Sequence, residues 1–204
     1  MTAHAGPDPY IAGLILAGGA SSRIGSPKAL LDYAGETFLD RLIGLLASVC
    51  GSVTVVLGYH AAAIHRCLRR AAQGVFVLNP DPALGQLSSL QCGLRAIPFA
   101  ASHALFLPVD LPAVSPETIQ AITRWKGAAQ LVLPRYQGRN GHPVLASRTV
   151  VAELLALPPA ASAKDVIHQH RAETQFVETA DAGILFDVDD AEAYRRLISG
   201  AWRC

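Results

Sequence analysis

The sequence carries almost no net charge, and this absence limits the partners it can have. Its 204 residues include 17 lysines and arginines and 16 aspartates and glutamates, which gives a formal charge of +1 at pH 7. A chain without a basic field has nothing to hold a nucleic acid backbone or an anionic membrane surface. The composition therefore argues against nucleic acid and membrane partners and favours a small molecule.

Cysteine is scarce and is not arranged in pairs. The four cysteines are scattered along the chain without a Cys-x-x-Cys motif, at Cys50, Cys67, Cys92 and Cys204. This spacing argues against a zinc ribbon, a thioredoxin-type site and a disulfide framework. We expect these thiols to behave as small apolar side chains.

Long apolar runs are absent as well. No stretch approaches the roughly 18 uncharged apolar residues of a membrane-spanning helix. The N-terminus lacks the basic start and apolar run of a secretory signal, so the cytoplasm is the expected location. The length predicts a single domain over residues 1–204, with residues 1–9 flexible.

Two common nucleotide-binding fingerprints are missing, yet a glycine-rich loop is present. Neither Gly-x-x-x-x-Gly-Lys-Ser/Thr nor Gly-x-Gly-x-x-Gly occurs, so neither a P-loop ATPase nor a Rossmann dehydrogenase is indicated. Residues 15–28 instead read Ile-Leu-Ala-Gly-Gly-Ala-Ser-Ser-Arg-Ile-Gly-Ser-Pro-Lys. Glycines there expose backbone N–H groups, and Arg23 and Lys28 add positive charge. The pattern is typical of a triphosphate site, although such turns also occur in proteins that bind nothing.

Short apolar runs alternate with helix-period patterns along the chain. This order predicts an α/β sandwich of mostly parallel strands with helices on both faces. The predicted strands are residues 11–17, 52–58, 74–78, 104–109, 130–136, 143–146, 174–178 and 184–188. The predicted helices are residues 37–49, 61–72, 86–97, 116–126, 148–156 and 190–198, and Ser115-Pro116-Glu117 is typical of a helix start.

Carboxylates follow two of the predicted strands. Ligands of an open α/β sheet collect beyond the carboxyl ends of its strands, where Asp110 lies. Since Mg²⁺ needs only one or two protein carboxylates, Asp110 is the main metal candidate, with a turn cap as the alternative. Asp187 and Asp189 would share one face of the last strand and could converge on the same cation. The alternative is that the cluster only caps the last helix, a role that suits Asp190.

Two further polar loops are candidates for substrate contacts. Residues 79–90 open a helix, and Gly85 and Ser89 within them could face a base or ribose, although serines at helix starts are usually caps. Arg139 and His142 lie in a turn between two strands and could contact a second, anionic substrate. A plain turn explains the same residues.

The remaining histidines point to no particular chemistry. His168 and His170 are two residues apart in a predicted helix, where their side chains point in different directions and cannot easily share a metal. His60 and His65 are expected to be structural. No Gly-x-Ser-x-Gly elbow presents a nucleophilic serine, so a hydrolase is a distant option.

These motifs together resemble a known family over nearly the whole chain. The sequence is similar to the MobA/MocA-type nucleotidyltransferases that attach a nucleotide to molybdopterin, most closely to the molybdenum cofactor cytidylyltransferases. The motifs that carry the resemblance are Leu-Ala-Gly-Gly-x-x-Ser-Arg-x-Gly-x-x-Lys at 16–28, Gly58-Tyr59, Asn79-Pro80-Asp81, Gly85-x-x-Ser88-Ser89-Leu90, Asp110-Leu111-Pro112, Gly141-His142-Pro143 and Asp187-Val188-Asp189.

The resemblance implies a fold, a reaction and a set of site residues. It implies a Rossmann-like, three-layer α/β/α nucleotidyltransferase domain that uses an NTP and Mg²⁺ and releases pyrophosphate as the phosphate of molybdopterin attacks. Catalysis would rest on Arg23, Lys28 and Asp110. The nucleotide would contact Leu16, Ala17, Gly18, Gly19, Ser22, Arg23, Gly25, Lys28, Gly85 and Ser89. The metal would be held by Asp110 and Asp189 with Asp187 beside it, and the acceptor would lie near His142 and Arg139.

Departures from the family pattern concern the base. The first loop reads Ala17-Gly18-Gly19 where the cytidylyl branch has Ala-Ala-Gly, and Ile24 replaces a methionine, features closer to the guanylyl branch. The later motifs lean toward the cytidylyl branch, so CTP is expected over GTP. The alternatives are a sugar-phosphate nucleotidyltransferase and a catalytically silent binding module. A transient contact with a molybdoenzyme or its chaperone is a further expectation.

Overall fold

One mostly parallel sheet organises the molecule. The computed structural model describes residues 10–203, so the expectation of flexibility for residues 1–9 lies outside the described residues. The strands are β1 (Ile11–Ala17), β2 (Asp32–Tyr33), β3 (Glu36–Thr37), β4 (Ser52–Leu57), β5 (Val75–Leu78), β6 (His103–Pro108), β7 (Leu131–Tyr136), β8 (Arg139–Asn140), β9 (Val144–Ser147) and β10 (Thr174–Glu178). The main sheet has the order β10-β7-β9-β6-β1-β4-β5, with β8 beside β7, and β2 pairs with β3 in a separate hairpin.

Within residues 10–203, seven α-helices cover this sheet. They are α1 (Phe38–Ala47), α2 (Ala61–Cys67), α3 (Gln86–Ala96), α4 (Pro116–Thr123), α5 (Arg148–Ala156), α6 (Ala163–Gln169) and α7 (Ala191–Ser199). Among the described residues no helix is long and apolar enough to cross a membrane. Ser115 and Asp190 cap α4 and α7 by accepting hydrogen bonds from Thr118 N and Ala193 N, so the predicted helix starts are confirmed.

Strand β1 is buried on both faces and divides the core into two clusters. Its side chains alternate: Ile11, Ile15 and Ala17 pack in the cluster that contains residues of α1, α2, α4 and α7. Ala12, Leu14 and Leu16 pack in the opposite cluster, with residues of α3, α5 and α6. A strand buried on both faces is expected for a parallel sheet with helices on either side. The predicted three-layer α/β/α fold with a mostly parallel sheet is confirmed.

The direction of the strands places the candidate residues at one edge. Strand β1 runs parallel to β4 and β6, and β4 runs parallel to β5. Strand β9 is antiparallel to both of its neighbours, β6 and β7. The glycine-rich loop after β1 and Asp110 after β6 therefore leave the sheet side by side.

The predicted strand at residues 184–188 is wrong. Ala182–Leu185 form a 3₁₀ turn, which Asp181 initiates by accepting a hydrogen bond from the Gly183 N–H at 2.9 Å. The backbone that follows bonds to loops instead of a ladder: His142 N donates to Ile184 O at 3.1 Å, and Val188 N donates to Asp110 O at 2.9 Å. The segment thus crosses the carboxyl edge of the sheet and carries Asp189 toward Asp110.

Candidate active site

The glycine-rich loop approaches the neighbouring strand end too closely for a side chain. A Cβ built on Gly58 would lie 2.5 Å from the carbonyl oxygen of Gly18. At Gly19 no atom of residues 10–203 beyond its chain neighbours lies within 4 Å of the position that a Cβ would take, so its backbone faces open space. Bare backbone N–H groups in such a position are suited to an anion.

Two residues with positive φ give the loop its shape. Ser21 has a φ of 54° and Gly25 a φ of 78°. The Ser21 side chain also accepts a hydrogen bond from the Lys28 backbone N–H at 3.0 Å, which ties the two ends of the turn together. The loop therefore presents Lys28 from a fixed backbone position.

The cations of this loop meet carboxylates from two other segments. Lys28 Nζ lies 2.7 Å from Asp189 Oδ1 and 3.4 Å from Asp110 Oδ2. Arg23 Nη2 lies 3.5 Å from the same Asp189 oxygen. The Lys28 side chain is 12% exposed and that of Arg23 67%, so Lys28 is fixed inside the site whereas Arg23 stands at its mouth. Residues far apart in sequence converge here on one charged cluster.

Burial and charge change the acidity of these carboxyl groups. Burial raises the pKa of Asp110, and the nearby Lys28 opposes that rise. The hydrogen bond from Lys28 lowers the pKa of Asp189. Burial, reinforced by the charges of Asp110 and Asp189, raises the pKa of Asp187 to about 6. The negative charges of Asp110 and Asp189 thus oppose ionisation of Asp187, whereas Lys28 favours the ionised form of Asp189.

A cavity of about 430 Å³ extends from the charged cluster along the glycine-rich loop. Its far end is formed by the start of α3 and the loop before it. Its lining residues are Leu16, Ala17, Gly18, Gly19, Ala20, Ser21, Ser22, Arg23, Pro27, Lys28, Ala29, Ile64, Pro82, Gly85, Gln86, Ser89, Pro108, Val109, Asp110 and Asp189. One end is charged and the other mostly neutral, which suits a molecule with an anionic tail and a polar ring.

The charged end has features that fit a divalent cation. Asp110 Oδ1 is buried and has no hydrogen-bond partner within residues 10–203. Over the same residues, no group of three or more His, Cys, Asp or Glu side chains lies close enough to hold a metal. A site with one or two carboxylates suits Mg²⁺, which takes its other ligands from phosphate and water.

Four of the predicted site residues lie outside the cavity lining. Gly25 shapes the loop through its positive φ, and Asp187 directly precedes the buried Val188. Arg139 is exposed on β8. His142 lies at the same edge as Asp110, because the register that pairs Phe106 with Val144 runs on toward Pro108 and His142. Burial lowers the pKa of His142 to about 4, so its ring is neutral at pH 7.

Several residues of the site were not predicted. Pro82 and Gln86 line the far end of the cavity, and Ile64 of α2 lines its side. Their apolar or neutral side chains carry no chemical signal in the sequence, and only the fold brings them to the cavity. Asn79 stands in one of the quoted motifs, but its buried position under Ser89 depends on tertiary contacts.

Fold and site together define the class of protein. A three-layer α/β/α domain with a glycine-rich loop, two cations and a half-buried carboxylate at one edge of its sheet has the Rossmann-like nucleotidyltransferase fold. A nucleotidyl transferase from Methanothermobacter shares this fold with a TM-score of 0.80 at 21% identity, over 95% of this chain and 98% of that chain. The chain belongs to the family of the MobA-like NTP transferase domain, whose family model matches residues 13–174.

Individual relatives carry more than one name. The chain is 25% identical over 181 residues to the molybdenum cofactor cytidylyltransferase of Escherichia coli K12, covering 89% of this chain and 92% of that protein. It is 32% identical over 204 residues to the nicotine blue oxidoreductase of Paenarthrobacter nicotinovorans, covering 93% and 97%. A probable molybdenum cofactor guanylyltransferase of Rhodopirellula baltica is 37% identical over 135 residues, 64% of this chain and 63% of that protein.

Two further solved structures share the fold of this chain over nearly its whole length. The crystal structure of Rv0371c from Mycobacterium tuberculosis H37Rv matches with a TM-score of 0.85 and 28% identity, over 95% of this chain and 99% of that chain. A complex of the same protein with manganese matches with a TM-score of 0.79 and 27% identity, over 93% and 98%.

Proposed function

We propose that the protein transfers CMP from CTP to the phosphate of molybdopterin, or of its metal-loaded form, and releases pyrophosphate. The observation that carries this proposal is the position of Lys28 Nζ, 2.7 Å from Asp189 and 3.4 Å from Asp110, beside the bare backbone of the glycine-rich loop. A polyphosphate needs cations and N–H groups on one side and a metal-holding carboxylate on the other. This cluster offers both within one cavity.

The reaction needs no protein nucleophile. An oxygen of the acceptor phosphate attacks the α-phosphorus of the nucleotide, the bond from the α-phosphorus to the bridging oxygen breaks, and that oxygen leaves with pyrophosphate. Catalysis of such a transfer rests on positioning and on stabilisation of charge. The loop N–H groups hold the triphosphate, Lys28 neutralises charge that develops on it, and the exposed Arg23 turns from Asp189 toward the leaving group.

Mg²⁺ is the metal proposed for this site. Asp110 and Asp189 would hold it, with Asp187 beside them, and the partnerless Oδ1 of Asp110 supports this assignment. Bound there, the ion would neutralise phosphate charge and help to align the reacting groups.

The base and the acceptor are proposed from different parts of the chain. Gly85 and Ser89, at the neutral end of the cavity, face the nucleoside. CTP is favoured because the later motifs, among them Gly141-His142-Pro143, lean toward the cytidylyl branch, and a cytidylyltransferase is among the relatives. His142 and Arg139 follow strands at the same edge and face the acceptor. We also propose a cytoplasmic location and a transient contact with a molybdoenzyme or its chaperone, as the product is used there.

Release of pyrophosphate tests the proposal directly. Protein and Mg²⁺ are mixed with molybdopterin or, separately, a sugar phosphate as acceptor and with CTP, GTP, ATP or UTP, and pyrophosphate is measured. We expect release with CTP above that with the other three. Release with GTP alone would reassign the base, and release only with a sugar phosphate as acceptor would reassign the acceptor. No release with any nucleotide that binds would leave a silent binding module.

A thermal-shift panel separates binding from turnover. A ligand that binds only the folded state raises the melting temperature, so CTP with Mg²⁺ is expected to raise it most. Nicotine blue belongs in the same panel, because one relative is named for it. A rise with nicotine blue and none with any nucleotide would contradict the transferase proposal.

A further inference from the structure

Asn79 is a buried polar residue directly beneath the neutral end of the cavity. It follows β5 and is 4% exposed, and its backbone N–H donates to Leu57 O at 2.8 Å. Its side-chain nitrogen Nδ2 lies 2.9 Å from Ser88 Oγ and 3.0 Å from Ser89 Oγ, both on the first turn of α3. One amide thus contacts two neighbouring hydroxyl groups.

The orientation of this amide is fixed by a backbone donor. The Asp81 N–H lies 3.1 Å from the Oδ1 atom of Asn79. A backbone N–H can only donate, so its partner must be the carbonyl oxygen of the amide and not the nitrogen. The NH₂ group therefore faces the two serines, and both of its protons are used there.

The two serines differ in whether their hydroxyl proton is already used in a hydrogen bond. Ser88 Oγ lies 2.9 Å from Gly85 O and 3.3 Å from Asp81 O, so its proton is bound to backbone carbonyls. Ser89 Oγ accepts from Asn79, and within residues 10–203 no acceptor lies in hydrogen-bond range of its proton. Ser89 lines the cavity, whereas Ser88 does not. The Ser89 proton therefore remains for a ligand.

We propose that Asn79 is a positioning residue that makes the Ser89 hydroxyl a one-way donor to the nucleoside part of the bound nucleotide. Its partner is an acceptor atom of the base or ribose, such as a ring carbonyl oxygen. The inference rests on the proposed function and adds to it the hydrogen-bond direction in which the nucleoside is recognised. Gly18 supports this arrangement, since a Cβ there would lie 3.0 Å from Ser89 Oγ.

Asn79→Asp tests the inference because it reverses the hydrogen-bond direction at nearly constant shape. A carboxylate still accepts from the Asp81 N–H, but it would also draw in the Ser89 proton and leave only lone pairs toward the cavity. We expect CTP affinity with Mg²⁺ to fall about three- to tenfold, the range of one neutral hydrogen bond. Affinity for inorganic tripolyphosphate, which lacks base and ribose, is expected to stay unchanged.

Four further variants test whether Asn79 acts through Ser89. Ser89→Ala is expected to lose CTP affinity to the same extent as Asn79→Asp, and the double variant no more than either. Asn79→Ala frees the Ser89 hydroxyl to rotate, so a smaller loss is expected, and this variant serves if Asn79→Asp does not fold. Ser88→Ala is the matched control, because Ser88 shares the amide but does not reach the cavity, and its CTP affinity is expected to match the wild type.

Distinct outcomes overturn the inference and the proposed function. Equal CTP affinity in Asn79→Asp and wild type overturns the inference alone. An equal loss of CTP and tripolyphosphate affinity in Asn79→Asp also overturns it, because such a loss marks a structural role. So does a further loss of CTP affinity when Asn79→Asp is added to Ser89→Ala. A wild type that binds tripolyphosphate but none of the four nucleoside triphosphates overturns the proposed function, and this inference with it.

Discussion

Asp110 is buried enough for its pKa to rise, yet its oxygen Oδ1 has no hydrogen-bond partner within residues 10–203. A buried carboxylate with an unused oxygen costs free energy in the folded protein. Function explains why such a residue is kept, since a bound cation would satisfy that oxygen. The same reasoning does not apply to Asp190, because its carboxylate caps α7 by accepting a hydrogen bond from Ala193 N at 2.8 Å.

Asp110→Asn tests whether Asp110 is kept for cation binding. The amide keeps the shape and removes the charge, so we expect pyrophosphate release to fall by at least about 100-fold, since metal positioning contributes several kcal/mol to the barrier. The melting temperature is expected not to fall, because the buried charge is gone. Initial rates and thermal unfolding measure both effects.

Asp190→Asn is the control for this experiment. Asparagine caps a helix as well as aspartate does, so rate and melting temperature are both expected to match the wild type. A normal rate in Asp110→Asn would show that the metal assignment is wrong.

At the scale of elements, strand prediction succeeds where an apolar run meets a partner on each side. Strands β1, β4 and β6 are continuous apolar runs in the centre of the sheet, and the sequence locates them within a residue or two. Residues 184–188 have similar apolar character, with Ile184 and Val188 buried. Asp181 turns the chain there and the backbone bonds go to loops, which no local pattern reveals. The β2–β3 hairpin, with two residues per strand, is too short for periodicity to detect.

Gly58→Ala tests how strand β4 supports the loop. The new Cβ would lie 2.5 Å from Gly18 O and 2.9 Å from Pro82 Cβ, and a backbone atom cannot give way cheaply. We expect a loss of about 1–3 kcal/mol in the free energy of unfolding, the usual cost of overpacking. CTP affinity is expected to fall too, as Gly18 and Pro82 both line the cavity.

The matched control is Gly74→Ala, whose Cβ would meet its nearest neighbours at 3.6 to 3.7 Å. The free energy of unfolding of Gly74→Ala, measured by urea titration, and its CTP affinity are expected to be close to those of the wild type. Similar losses in both variants would contradict a special role for the contact of Gly58 with the loop.

His170 links α5 to the end of α6 in a way that depends on pH. Its Nε2 lies 2.6 Å from Glu153 Oε2, and that hydrogen bond is the main cause of the raised pKa of His170. A raised pKa means that the folded state favours the charged ring. The stabilisation is therefore complete below the unfolded value of 6.5 and is lost as the pH rises through the higher folded value.

His170→Gln is expected to lower the free energy of unfolding more at about pH 5 than at about pH 9. Urea unfolding at the two pH values gives the difference. His168→Gln is the control, because His168 is exposed on the same helix, and its effect is expected to be small at both. An effect of His170→Gln that is equal at the two pH values would exclude the charged pair as its cause.

At the scale of the whole molecule, the predicted strand topology indicates which residues meet at the site, whereas their individual contacts cannot be predicted from the sequence. Parallel strands end at one edge, so a loop after β1 and an aspartate after β6 must meet, and Lys28 and Asp110 lie 3.4 Å apart. Which carboxylate would bind Lys28 more closely was not predictable, because Asp189 arrives on a segment that is not a strand. The hydrogen bonds of Asn79 were not predictable either, since they depend on the relative placement of β5 and α3.

The central sheet also determines how the whole molecule is expected to unfold. Because side chains of β1 alternate between the two core clusters, neither helical layer can leave without exposing the strand that the other layer covers. We therefore predict one cooperative transition, as for a single domain.

Leu14→Ala tests this prediction, since Leu14 is fully buried in the cluster on the opposite face of the sheet from Trp202. It is expected to cost about 2–5 kcal/mol. In a Trp125→Phe background, the remaining fluorescence of Trp202 reports the far cluster. This fluorescence and far-UV circular dichroism are expected to shift to the same new urea midpoint, whereas a fluorescence midpoint that Leu14→Ala leaves unchanged would show that the two layers unfold independently.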